Sequence, residues 1–245
     1  MKGRLGRYSI WQFRDFFMQH GIGIAIIGLL WGYTLLAPLR AAMGSQTPIP
    51  MTPGSPFFGL VLQITSAVVS VSVLIAMNGI VATDRKNGYY RFLFSKPIDR
   101  VLYYAQLFFV NMIGVLLIMA ILSWLLRMIV PTFNVGHFVV YAALVYIAMG
   151  GIGFLLSVGT RYDWLTLAAV WLGSRIVRAM YSGPQAGWKG KAVQLLPPVH
   201  RLDDVANSLI GTGSAHSADV VWLLTYGAVC FALGLLVLRY GSLAD

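Results

Sequence analysis

Six apolar runs, at residues 21–39, 57–82, 101–126, 138–158, 164–180 and 220–238, constrain this chain more than any other feature. A helix crosses the hydrocarbon of a bilayer in about 20 mostly apolar residues. Hydrocarbon offers no water to satisfy free backbone groups, so only helices and closed barrels cross it. Barrel strands alternate apolar and polar residues, whereas these runs are continuous, which predicts helices. The chain is 58% hydrophobic and 11% charged, where a soluble domain carries about 25% charged residues. The expected fold class is therefore an all-α integral membrane protein with six transmembrane helices in one domain, residues 1–245, without internal repeats. The fifth run is the most polar, because Arg175 and Arg178 fall inside it.

The distribution of Lys and Arg sets the orientation. With the N-terminus inside, the inner segments hold Lys2, Arg4, Arg7 and Arg14, then Arg85, Lys86, Arg91, Lys96 and Arg100, then Arg161 and Arg239. The two short outer loops hold Arg40 and Arg127. The long segment before the last run is also basic, but long translocated segments weigh little in this rule. Both termini are predicted to be cytoplasmic. The same clustering explains the net charge of +10 by membrane orientation and anionic lipid rather than by nucleic acid. The single cysteine, Cys230, excludes an intramolecular disulfide and reads as a packing residue. The first run is longer, and its charged lead more extended, than a cleaved signal peptide requires, so it is expected to remain as a span.

Ahead of the first run, Gln12, Asp15 and Gln19 form a polar stripe opposite Ile10, Phe13, Phe16 and Phe17. This pattern predicts an interfacial amphipathic helix within residues 1–20, lying on the inner leaflet before the chain turns into the bilayer. The outer loop 40–56, with Pro48, Pro50, Pro53 and Pro56, reads as an irregular linker.

The inner loop 84–100 is short, basic and aromatic. Asn87-Gly88 is expected to break the helix leaving the second run. Tyr89 to Phe94 allow one or two helical turns, which Ser95-Lys96-Pro97 ends, because a residue before proline avoids helical geometry. Asp99 or Ser95 is placed to cap the third run. Aromatics and arginine anchor protein interfaces, so the loop reads as a docking element. It reads equally as an ordinary inner loop whose aromatics sit in the interfacial belt.

The residues Asp84, Arg85, Gly88, Tyr89, Tyr90, Arg91, Phe92, Leu93, Phe94, Ser95, Lys96, Pro97 and Ile98, with Arg100, Tyr103 and Tyr104 beyond them, carry a family likeness. The stretch resembles the loop between spans two and three of ABC exporter permeases of the ABC-type-two (type V) family. Many relatives carry Glu where this chain has Asp84; Leu195-Leu196-Pro197-Pro198 also resembles family members. The resemblance implies a membrane subunit in a prokaryotic inner membrane, with a short cytoplasmic coupling helix in residues 84–97 that docks on a separate ATP-hydrolysing subunit. ATP and Mg would be bound by that partner, not by this chain. It further implies a second permease copy or related chain, and re-entrant outer helices in residues 181–219. The sequence contains no Gly-x-x-x-x-Gly-Lys-Ser/Thr phosphate loop, so energy must come from elsewhere.

Within the second run, Gln63, Ser66 and Ser70 share one face, and Asn78 follows. In lipid such a face turns toward a transport route, a subunit contact, or neighbouring helices; the resemblance implies that spans two and five meet the partner protomer. Gly150, Gly151 and Gly153 read as close helix packing, with a hinge as the alternative, and Asn111 as an interhelical hydrogen-bond residue. Arg175 and Arg178 lie three apart near the outer end of the fifth run, placed either to reach headgroups or to attract an anionic ligand. His200, Asp203, Asp204 and His216 make a poor metal set, and no metal site is expected.

Three functions were weighed against these residues. A transport permease fits the loop and the polar face. A non-transporting anchor or scaffold needs neither. An intramembrane enzyme needs a nucleophile, acid or base at membrane depth, and no Asp or His lies mid-span; His20, His137, His200 and His216 fall at edges or outside.

Overall fold

The structure, a computed structural model, describes residues 2–43, 56–81, 84, 99–129, 133–160, 163–181, 197, 199–211 and 213–240. Every regular element among them is helical. The order is α1 (Lys2–Phe16), a π segment (Phe17–Gly21), α2 (Ile22–Met43), α3 (Pro56–Met77), α4 (Arg100–Ile129), α5 (Val135–Gly159), α6 (Asp163–Tyr181), α7 (Val199–Gly211) and α8 (Ser217–Tyr240). Among the described residues five helical stretches are long and apolar enough to cross a membrane: Tyr8–Thr34, Phe58–Met77, Arg100–Met128, Val135–Gly159 and Ser217–Tyr240. That is the character of a multi-pass membrane protein. Helix α6 covers the fifth predicted run, but it is not one of the five.

Helix α5 is the hub. Of its most apolar window 67% is buried, against 17% for α8. It packs against α3, α4, α6, α7 and α8. Its start is capped by Asn134, whose side chain accepts from the His137 amide. The glycines within it serve packing. A Cβ on Gly151 would lie 2.9 Å from the carbonyl carbon of Gly227 on α8 and closer still to its oxygen. A Cβ on Gly227 would in turn meet the backbone of Ile147 and Ala148. The two helices thus touch backbone to backbone, the close approach that small residues permit between membrane helices. Around this seam Phe108, Phe154 and Phe231 stack, with ring centroids 4.4 to 5.9 Å apart. Asn111 on α4 donates to the Ala76 carbonyl on α3 at 3.1 Å, the interhelical bond its position predicts.

Two boundaries differ from the sequence expectation. The N-terminal segment does not break between an interfacial helix and a first span. The backbone stays helical through residues 2–43, with the π segment Phe17–Gly21 joining α1 to α2. Its faces differ as well: Gln12 and Phe16, one helical turn apart, are both buried, while Ile10, Trp11 and Met18 are exposed. Phe16 seats against Gly114 of α4, in space that any larger residue would occupy. The stripe drawn from the sequence therefore had Phe16 on the wrong side. Packing against α4 overrode the simple polar-apolar division.

Helix α3 stops at Met77, short of the expected residue 82. The Asn78 amide turns back to the Ile75 carbonyl at 3.1 Å, and Gly79 adopts φ +85°, a left-handed conformation that favours glycine. The Asn-Gly pair that ends this helix is Asn78-Gly79. Asn87-Gly88 lies outside the described residues, as do the rest of loop 85–98 and most of the 182–198 segment.

Candidate functional site

One end of the bundle carries the roots of the inner loop. Asp99 caps α4: its carboxylate accepts from the Val101 amide at 2.9 Å and its carbonyl from the Tyr103 amide at 3.0 Å. Asp99 is one of the two expected caps; Ser95 lies outside the described residues. On the other side of the loop the Tyr104 hydroxyl donates to Asp84 Oδ2 at 3.2 Å. The two ends of loop 85–98 are thereby tied to the same turn of α4. Tyr104 is almost fully buried, and Tyr103 and Tyr104 pack edge to face with centroids 5.2 Å apart, which holds the clamp in place. One turn along α4, Gln106 donates to the Ser9 hydroxyl at 2.7 Å and so binds α1 to the same corner. Buried Gln12 lies beside Tyr103.

Burial pushes the Asp84 carboxyl up to about 6, against a hydrogen bond from Tyr104 that favours the charged form; Asp15 adds a smaller upward push. A carboxyl at this position therefore changes charge close to neutral pH. Glycine and the aromatic and basic residues Gly88, Tyr89, Tyr90, Arg91, Phe92, Leu93, Phe94, Ser95, Lys96 and Pro97 lie outside the described residues.

The opposite end holds a second polar cluster. Gly211 of α7 abuts Phe58 at the start of α3, and Gly213 abuts His137 at the start of α5, which sets this end apart from the Asp84 corner. Helix α7 buries Leu202, Val205, Ala206 and Leu209. Its polar side meets α6. Arg175 Nη2 donates to both carboxylate oxygens of Asp203, at 2.9 and 2.7 Å, and stacks on Trp171 at 4.8 Å. Arg178 contacts His200 Nδ1. Arg201 pairs with Asp219 of α8 at 2.7 Å and lies over Trp222. Burial, with Arg178 and Arg201 adding to it, lowers His200 to about 4, so it is neutral at physiological pH.

The remaining sequence-derived residues separate. Ser66 is hydrogen-bonded to the Tyr141 hydroxyl on α5 at 2.9 Å, so it serves helix packing. Ser70 is buried. Gln63 is exposed on the flank of α3. Asn78 sits in the turn past the helix end rather than on the polar face. Sequence reading missed the Asp84–Tyr104 clamp, the Ser9–Gln106 tie and the Arg201–Asp219 pair, because each joins residues distant along the chain. An acid beside a basic loop and a tyrosine early in the next helix were the only available signals. Among the described residues no group of His, Cys, Asp and Glu could hold a metal. No family model and no curated protein matches the chain.

Proposed function

We propose that this chain is the membrane-spanning permease subunit of an ATP-driven exporter, moved by a separate nucleotide-binding subunit that docks on loop 84–97. The observation that carries the reading is the clamp of Asp84 by Tyr104 beside the Asp99 cap. A loop whose two ends are fixed to one buried helix transmits force to that helix. A slack loop absorbs it. Helix α4 passes the push through Asn111 to α3 and through the Phe108 cluster to α5 and α8. ATP-driven closure of the partner then shifts the population between two arrangements of the bundle.

In this reading α6 is the fifth of six crossings, both termini and loop 84–97 are cytoplasmic, and α1 borders the inner leaflet. Helix α7 belongs to the outer re-entrant cover, and the membrane is the inner membrane of a prokaryote. Exposed Gln63, a polar group on an apolar flank, supports a contact there with a second permease chain. The partner binds ATP and Mg; this chain binds neither and catalyses nothing.

The test is purification of the tagged chain in mild detergent from its own host, with co-elution of an ATPase as the readout. The wild-type chain is expected to co-elute with the ATPase. Changing Arg91, Phe92 and Phe94 together to Ala is expected to abolish the complex while leaving the chain monodisperse. An undiminished complex would refute the docking assignment.

A further inference from the structure

Between α6 and the start of α7 lies a cavity of about 290 Å³ lined by Ser174, Arg175, Arg178, Pro197, His200 and Asp203. Its charge is not balanced. Both oxygens of Asp203 are already engaged by Arg175, and Arg201 is paired with Asp219 outside the lining. Among the described residues Arg178 forms no ion pair. Its near neighbour is His200; Asp204, which is exposed and not among the lining residues, acts on it at longer range. Arginine has no acceptor, so the His200 Nδ1 lone pair must receive from Arg178. That fixes the imidazole as neutral with its proton on Nε2, a further donor. The chamber therefore presents guanidinium N–H groups and an imidazole N–H, with one carboxylate already satisfied.

Pro197 also borders a small separate crevice of about 10 Å³ beside Trp171, Val170 and Leu167 of α6, too small to hold a hydrocarbon chain. The lining of this crevice is wholly apolar, from Met149 and Ile152 of α5 to Leu202 of α7. A donor-rich chamber of this size fits an oxyanion.

We propose that this chamber is a binding site for an oxyanion, phosphate or carboxylate, carried by a lipid headgroup or free in solution, with Arg178 as the residue that binds the charge. The guanidinium fork matches phosphate or carboxylate in two-point geometry, and such charge-assisted bonds are roughly twice as strong as neutral ones. Arg175 is the positioning residue: its pair with Asp203 locks α7 against α6 and forms one wall. The site needs no partner ATPase, so it stands or falls independently of the coupling reading.

The experiment uses the purified full chain in a non-ionic detergent, with Trp fluorescence as the readout, since Trp171 lines the crevice and touches Arg175. Dioctanoyl phosphatidylglycerol, dioctanoyl phosphatidylcholine and inorganic phosphate are titrated separately. The wild type is expected to bind phosphatidylglycerol saturably and at least about tenfold more tightly than phosphatidylcholine, the weight of one charge-assisted contact. Arg178→Gln is expected to erase that preference. Arg178→Lys keeps the charge without the fork and is expected to retain part of it. Arg127→Gln, at the end of α4, is expected to change nothing. Saturable binding of inorganic phosphate with the same dependence on Arg178 upholds the oxyanion site and assigns it to a free anion instead of a headgroup. Equal binding of the two lipids, or an Arg178→Gln preference unchanged from wild type, overturns the proposal. Thermal unfolding of each variant separates lost binding from lost fold. If Arg178→Gln does not fold, an Arg178→Lys preference equal to that of wild type overturns the two-point contact.

Discussion

The seam between α5 and α8 gives the sharpest quantitative test. Gly151→Ala adds one methyl group whose carbon would lie 2.9 and 3.0 Å from two Gly227 backbone atoms and nearer still to a third. Ordinary contact begins at 3.4 Å. The obstructing atoms are backbone, so no rotamer change relieves them, and the helices must part by about 1 Å. Overpacking of this kind costs about 1–3 kcal/mol, and the gain in helix propensity from Gly to Ala returns at most about 1 kcal/mol. The net expectation is a loss of about 1–2 kcal/mol, a shift of roughly 5- to 30-fold in the folded-to-unfolded ratio. Gly227→Ala should match it, since its Cβ would lie 2.7 Å from the Ile147 carbonyl carbon. Gly173 on α6 supplies the control, because a Cβ there meets nothing within 4 Å. Gly173→Ala should be neutral or stabilising by up to about 1 kcal/mol. The assay is reversible denaturant unfolding in detergent micelles followed by Trp fluorescence. If Gly151→Ala and Gly173→Ala shift the midpoint in the same direction, the backbone contact between α5 and α8 is not what holds that seam.

Other expectations follow from the two polar ends. Tyr104→Phe removes the hydroxyl that clamps Asp84 and should cost about 1–2 kcal/mol in the same unfolding assay, with faster protease cleavage within loop 85–98. Because Asp84 is raised in the fold to about 6 from 3.8, the folded state binds more protons than the unfolded state between these values. Its contribution to stability is therefore fully present below about pH 4 and is lost as pH rises through about 6. Asp84→Asn should accordingly raise the unfolding midpoint more at pH 7.5 than at pH 5; an equal shift at both would contradict the burial of this carboxyl. At the other end, the Arg175–Asp203 pair is nearly half exposed on both sides, so Arg175→Gln should change global stability by no more than about 1 kcal/mol. Hydrogen exchange of α7 amides should nevertheless quicken in that variant, and unchanged protection would show that the pair does not hold α7.

The sequence alone determined the helical class and the positions of most helices, because length and unbroken hydrophobicity admit no other structure in hydrocarbon. It also offered local devices: Asp99 as one of two candidate caps, the interhelical role of Asn111 and the packing role of Gly151. Each depends on spacing along one helix or on one side chain's intrinsic chemistry. The tertiary structure decided what depends on neighbours. It turned Phe16 inward because Gly114 leaves room for it, and it ended α3 at Asn78-Gly79. It divided the polar residues of α3 between Ser66 inside and Gln63 outside, a choice set by Tyr141 on another helix. In a chain whose helices are apolar on nearly every face, periodicity cannot say which face meets protein and which meets lipid. Only the surfaces that fit together do that.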